Sequence, residues 1–102
     1  MILHIDVVNK VATYQKRDGC IVCGNSGYQI EFNFDSEWDA VQDLLAVFIV
    51  NGQVIEKPIE NGECDVPIIR SAEKVVVGVY SESAGMATTG TEIPCKKSIL
   101  CT

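Results

Sequence analysis

The chain has 102 residues, of which 47 % are hydrophobic, and it carries a formal net charge of -6. This length and apolar content predict one folded domain, residues 1–102, and exclude a disordered chain. The acidic balance and the scattered Lys and Arg residues are unlike a nucleic-acid-binding footprint, so no nucleic-acid partner is expected. The longest apolar run, residues 44–50, falls far short of the roughly 18 residues of a membrane span. With no signal peptide visible at Met1, we expect a protein made in the cytoplasm and without a membrane partner.

The first third of the chain contains three strand-like segments. Ile2–Val8 predicts an opening strand, and residues 11–15 predict a second strand after a turn at Asn9-Lys10. Residues 16–19 end in Asp-Gly, which favours a hairpin turn. A short apolar run follows at residues 20–23.

The strongest strand pattern covers residues 28–34. Large apolar side chains alternate strictly with polar ones, so the apolar set faces one side of a sheet and forms a wall of the core. Its members are Tyr28, Ile30, Phe32 and Phe34. Trp38 follows in a turn, where we expect it to cover one end of the core; stacking on a ligand is the alternative.

Two Asn-Gly pairs organise the middle of the chain. Asn51-Gly52 and Asn61-Gly62 favour type I′ turns, which join antiparallel strands. Their spacing predicts a three-strand meander, with Phe48 in the core of its first strand. Pro58 and Pro67 are expected at strand ends or at a sheet edge.

The C-terminal third contains the most β-branched run. Residues 74–80 predict a strand with Val77 and Val79 in the core, and residues 81–90 predict a flexible loop. Residues 91–101 predict the last strand. Seven or eight short strands with almost no helical periodicity indicate an all-β fold, a single antiparallel β-sandwich of immunoglobulin-like type. A small β-barrel is the alternative.

Five cysteines raise the question of metal or redox chemistry. Cys20 and Cys23 have the spacing of zinc and redox motifs, but Cys95 and Cys101 are too far apart for a second zinc pair. The odd count and the absence of a secretion signal favour reduced structural thiols. Cys20 and Cys23 therefore stay weak metal candidates, and no cofactor is expected.

The sequence contains no recognisable catalytic constellation, and we predict that the protein is not an enzyme. His4, the single histidine, lies in a strand, where a structurally satisfied imidazole is favoured over a general base. Neither a P-loop nor a GxSxG motif occurs. The acidic residues Asp35, Glu37 and Asp39 resemble the start of an EF-hand loop, but Ala40 replaces its glycine.

Five segments occur in an order that resembles a known family. They are residues 32–39 (FNFDSEWD), 46–48 (AVF) with Asn51-Gly52, 64–67 (CDVP), 77–80 (VGVY) and 92–94 (EIP). This pattern resembles a small β-sandwich domain of tail and baseplate structural proteins of phages and prophages of Gram-positive bacteria. The resemblance implies a virion structural role, contacts with other tail or baseplate proteins or a homo-oligomer, and no catalytic residues.

Three functions from different classes follow. In the favoured one, an edge strand at residues 74–80 or 91–101 pairs with a neighbouring protein. The alternative is a carbohydrate-binding module in which Trp38 and Tyr28 or Tyr80 stack on sugars. The third is a thiol or metal protein that uses Cys20 and Cys23.

Overall fold

The computed structural model describes residues 1–98, which form ten β-strands in two sheets and two 3₁₀ turns. The strands are β1 (Ile2–Val8), β2 (Val11–Tyr14), β3 (Ile21–Val22), β4 (Gln29–Phe34), β5 (Leu45–Val50), β6 (Gln53–Pro58), β7 (Glu63–Asp65), β8 (Lys74–Ser81), β9 (Met86–Ala87) and β10 (Thr91–Lys96). The 3₁₀ turns are Lys16–Asp18 and Ser36–Trp38. The all-β class is confirmed. Residues 99–101 of the predicted last strand lie outside the described residues. Within residues 1–98, no helix is long and apolar enough to cross a membrane.

Sheet A has the strand order β2-β1-β4-β7. Strands β1 and β4 pair in parallel, with Leu3 opposite Ile30, whereas the sequence predicted antiparallel pairing. A parallel pair needs a long connection between its strands. Here the chain leaves sheet A after β2, forms β3 in the other sheet and returns to β4.

Sheet B has the order β3-β10-β8-β5-β6, with β9 also paired to β8, and it curls into half of a barrel. Its first pair, β3 with β10, is parallel, and its other pairs are antiparallel. The hairpin predicted at residues 16–19 is therefore wrong: those residues form a 3₁₀ turn that directs the chain away from β2.

The Asn51-Gly52 hairpin is confirmed. Both residues have positive φ, 50° and 80°, and β5 pairs with β6 from Val50 and Gln53 onward. The predicted meander is wrong, because β6 belongs to sheet B and β7 to sheet A. Pro58 ends β6, and the buried Ile59 turns the chain between the sheets before the next Asn-Gly turn.

The predicted core residues lie between the two sheets. Ile30, Phe32, Trp38, Phe48, Val77 and Val79 are buried, while Tyr28 and Phe34 are partly buried against them. The ring of Phe34 stacks on Phe32 at 5.7 Å and contacts Trp38 at 5.5 Å between ring centroids. Tyr28 precedes β4, and its hydroxyl accepts a 3.0 Å hydrogen bond from the Val22 N–H.

Threonine hydroxyl groups accept hydrogen bonds from the β2 edge of sheet A. The outward N–H groups of β2, from Ala12 and Tyr14, donate to the Oγ1 atoms of Thr89 and Thr91 at 3.2 and 3.0 Å. The link between β9 and β10, together with Thr91 at the start of β10, thus covers the β2 edge of sheet A. Gly90 lies in this link, and a Cβ there would stand 2.5 Å from Cγ1 of Val76, so the close approach requires glycine.

Candidate protein-interaction surface

The outer face of sheet B is apolar. Strand β8 directs Val75, Val77 and Val79 into the core, and alternation turns the residues between them outward. We define the outer face of sheet B by Gly78 and the outward apolar residues of its three neighbouring strands: Leu45, Val47 and Ile49 on β5, Val54 on β6, and Val76 and Tyr80 on β8. Glu56 on β6 also points outward, opposite Val47. Ile49 lies opposite both Val54 and Val76, and these residues form a continuous apolar row across three strands.

A shallow groove of about 220 Å³ lies on this face, between β5 and the link that follows β9. It exists because Gly78, opposite Val47 in the register, has no side chain. The link after β9 packs over Gly78, where a Cβ would lie 3.4 Å from Thr88 Oγ1 and 3.4 Å from the Thr89 carbonyl oxygen, so this chain's own backbone makes the close approach that glycine permits. The volume is below the roughly 300 Å³ of small-molecule sites, and the groove is suited to a side chain of a partner protein.

Polar groups border the apolar row. Lys74 and Glu92 form an ion pair of 2.8 Å, and this hydrogen bond raises the pKa of Lys74. The hydroxyl of Tyr80 donates to Glu56, which raises the pKa of Tyr80, with burial as the next cause. An apolar centre with a polar rim is the usual anatomy of a protein interface.

The free edge of sheet B lies beside this face, on β6. The sequence placed the edge at residues 74–80 or 91–101, and both predictions are wrong for the described part of the chain. Strand β8 lies between β10 and β5, and β10 lies between β3 and β8. Local pattern cannot distinguish a central strand from an edge strand, because this depends on which distant strands pair.

The outer face of sheet A is mixed: Ile2 is 44 %, Val8 55 % and Val11 49 % exposed, and polar side chains occupy the outward positions of β4. His4 lies there with Nδ1 3.0 Å from Asp18 and Nε2 3.8 Å from Glu31. Burial would raise the pKa of Asp18, but hydrogen bonds from the ring and the backbone N–H of His4 outweigh it and lower that pKa. His4 is thus held by two carboxylates in a structural arrangement.

The thiols are free in the part of the chain that the structure describes. Cys23, Cys64 and Cys95 are buried and Cys20 is partly exposed, while Cys101 lies outside the described residues. Burial raises the pKa of Cys64 to about 12 and that of Cys95 to about 11, so both thiols are protonated at neutral pH. Within residues 1–98 no group of three His, Cys, Asp or Glu side chains could hold a metal ion, and Cys20 and Cys23 gain no further ligand.

The proposed sugar-stacking residues do not form an open platform. Trp38 is 2 % exposed, with its ring against Phe34. Tyr28 is partly buried, and its hydroxyl accepts a hydrogen bond from the N–H of Val22. Tyr80 is half-buried on the outer face of sheet B, and its hydroxyl donates a hydrogen bond to Glu56.

No protein family, curated protein or solved structure matches this chain. The link to phage tail and baseplate proteins therefore depends on the five sequence segments alone.

The sequence analysis missed the outer face of sheet B, although it contains a signal. Residues 44–50 and 74–80 are nearly continuous apolar runs, and such runs are typical of strands covered on both faces. Strand β4, by contrast, alternates as a strand with one face in water does. The two runs predict strands, and the second apolar face of these strands is the signal for the outer face of sheet B.

Proposed function

We propose that the protein is a non-enzymatic structural module that assembles with another protein through the outer face of sheet B. One observation carries this proposal: β5 and β8 are apolar on both faces, one face is buried in the core, and residues 1–98 cover the other only in part. Ile49 is 42 % and Val54 63 % exposed. Burying such side chains contributes about 25 cal/mol per Å², which favours a protein partner on this face.

The resemblance of the five segments suggests which assembly this is. It supports a tail or baseplate of a phage or prophage, with other tail or baseplate proteins as partners and the virion as the location.

Mass spectrometry of gradient-purified tail particles induced from the source strain tests the tail assignment. We expect the chain in stoichiometric amounts with the known tail proteins. Its absence from intact particles would contradict the tail assignment and leave the interaction surface to be tested with purified protein.

A further inference from the structure

We propose that β6 pairs with β6 of a second copy of this chain, in one antiparallel register centred on Ile55. This deepens the proposed function, on which it rests, because the pairing extends the outer face of sheet B across two copies. The experiments below separate the two proposals.

The other edges of the described sheets are protected, which leaves β6. The N–H groups of β2 are taken by Thr89 and Thr91. Strand β3 has two residues and β7 has three, so neither offers a long template. Strand β6 has six residues, four of them exposed.

The hairpin geometry determines which backbone groups of β6 are available. A two-residue type I′ turn closes on a hydrogen-bonded pair, here Val50 and Gln53. Residues 53, 55 and 57 therefore bond to β5, while Val54 and Glu56 direct their N–H and C=O groups away from the sheet. Pro58, the next outward residue, has no N–H and limits the pairing to the segment before it.

These outward groups are self-complementary in the register that places Ile55 opposite Ile55 of the second copy. Val54 then faces Glu56 of that copy and Glu56 faces its Val54, which gives two hydrogen-bonded pairs and four main-chain hydrogen bonds. A shift toward Pro58 would place Glu56 opposite Glu56, and like charges directly opposite are destabilising. A shift toward the turn would require Gly52, whose φ of 80° is not that of a strand.

The side chains also agree with this register. Lys57 faces Gln53 of the second copy, so no like charges lie directly opposite each other. Val54 lies on the same face as Ile49, its partner on β5. On this face Val54 of each copy lies opposite Glu56 of the other, so the two outer faces of sheet B join side by side. The pairing has twofold symmetry, the commonest symmetry of homo-oligomers.

Sedimentation equilibrium of the full chain tests the pairing with two variants at one position. Val54→Pro removes one outward-directed N–H group from each copy. Pro58 in the same strand already occupies an outward-directed position. Val54→Thr keeps the N–H and the strand preference but makes the side chain polar. Two of the four hydrogen bonds are lost in Val54→Pro, and we expect the dimer dissociation constant to rise about tenfold or more. Val54→Thr should change it only slightly.

A cross-link tests the register without any proline. In this register the two residues at position 55 form a non-hydrogen-bonded pair with Cα atoms about 4.5 Å apart, close enough for a disulfide. Oxidised Ile55→Cys should give a covalent dimer above the wild-type background, while Lys57→Cys, which faces position 53, should not. A wild-type chain that stays monomeric at millimolar concentration, or dimers that Val54→Pro leaves intact, would overturn the pairing. If Val54→Thr raised the dimer dissociation constant as much as Val54→Pro does, the dimer would form through the apolar face. This result would also overturn the pairing of the β6 strands.

The two proposals fail differently in these experiments. Ile49→Lys changes β5 and leaves the outward groups of β6 in place, so it removes the apolar row without removing the pairing edge. A chain that dimerises through β6 but binds its partner equally well with Ile49→Lys contradicts the proposed function alone. A monomeric chain whose partner binding is lost in Ile49→Lys contradicts the pairing alone.

Discussion

The carboxylate of Asp43 accepts a 2.6 Å hydrogen bond from the hydroxyl of Ser81, which is 1 % exposed at the end of β8. Ser83 donates to the same carboxylate from its hydroxyl at 2.7 Å and from its N–H at 3.2 Å. The Ser81 hydroxyl also accepts from the N–H of Ala84. Asp43 thereby fixes the loop between β8 and β9 to the segment that leads into β5, at one end of the outer face of sheet B.

This arrangement predicts a pH dependence of stability. The hydrogen bonds from Ser81 and Ser83 lower the pKa of Asp43 from 3.8 to about 2. Because the folded pKa lies below the unfolded one, the stabilisation is complete above about pH 4 and is lost as the pH falls toward 2. Asp43→Asn should be less stable than the wild type at neutral pH, and the difference should narrow across that interval. Urea unfolding at a series of pH values measures this, with the exposed Asp39→Asn as the control. If the difference in unfolding free energy between the wild type and Asp43→Asn did not change with pH, the lowered pKa of Asp43 would be contradicted.

The contact between Gly90 and Val76 predicts a coupled pair of substitutions. A Cβ on Gly90 would lie 2.5 Å from Cγ1 of Val76. Gly90→Ala should therefore lower the free energy of unfolding by about 1–3 kcal/mol. In a double-mutant cycle Val76→Ala should relieve much of this loss. Gly78→Ala is the matched control: its Cβ would meet Thr88 and Thr89 at 3.4 Å, and we expect little change. Additive effects in the cycle would show that the clash is not with Val76.

The hydroxyl groups that cover β2 predict a specific pattern of hydrogen exchange. Thr89→Val and Thr91→Val each remove the acceptor of one β2 N–H group, at Ala12 and Tyr14 respectively. Each should lower the free energy of unfolding by about 1–3 kcal/mol. The corresponding amide should exchange faster by NMR. Thr13→Val, whose side chain is exposed, should leave both amides protected. Unchanged exchange in the two variants would mean that other groups protect this edge.

The burial of Trp38 separates the structural role from sugar binding. Fluorescence of the single Trp should be blue-shifted and insensitive to added mono- and oligosaccharides, since the ring is 2 % exposed. Its Nε1 atom has no hydrogen-bond partner among residues 1–98, so Trp38→Phe should be milder than Trp38→Ala, which should cost about 3–5 kcal/mol. A saturable change in emission with one sugar would support the carbohydrate-binding alternative.

Local patterns predicted much of the local structure in this chain, although the Asp18-Gly19 pair does not form the hairpin that it favours. The alternation around Phe32 predicted β4 and its buried face, and Asn51-Gly52 predicted the type I′ hairpin, because both signals lie in consecutive residues. The parallel pair of Leu3 with Ile30 could not be predicted in this way, since the choice of partner strand depends on contacts distant in sequence. Asn61-Gly62 illustrates both the success and the failure. The turn at this pair was predicted correctly, but the assignment of the flanking strands β6 and β7 to different sheets was not predicted.

The candidate surface could be predicted only in part. The apolar runs around Ile49 and Val76 contain the information that two faces are hydrophobic. Which face is left uncovered depends on how β1 and β4 close the core. The edge at Val54 depends in addition on the order of five strands, and no local property of residues 53–58 reveals it.

The central claim is that the outer face of sheet B is the contact surface, and incorporation of variants into assembled particles tests it most directly. Ile49→Lys places a charge on that face, while Thr13→Lys places the same charge on the exposed face of sheet A. Particles assembled with each variant would be purified on a gradient and the chain quantified by mass spectrometry, with folding of both variants checked by circular dichroism. We expect Thr13→Lys at the wild-type level and Ile49→Lys to be lost from the particles. Incorporation of Ile49→Lys at the wild-type level would contradict the claim.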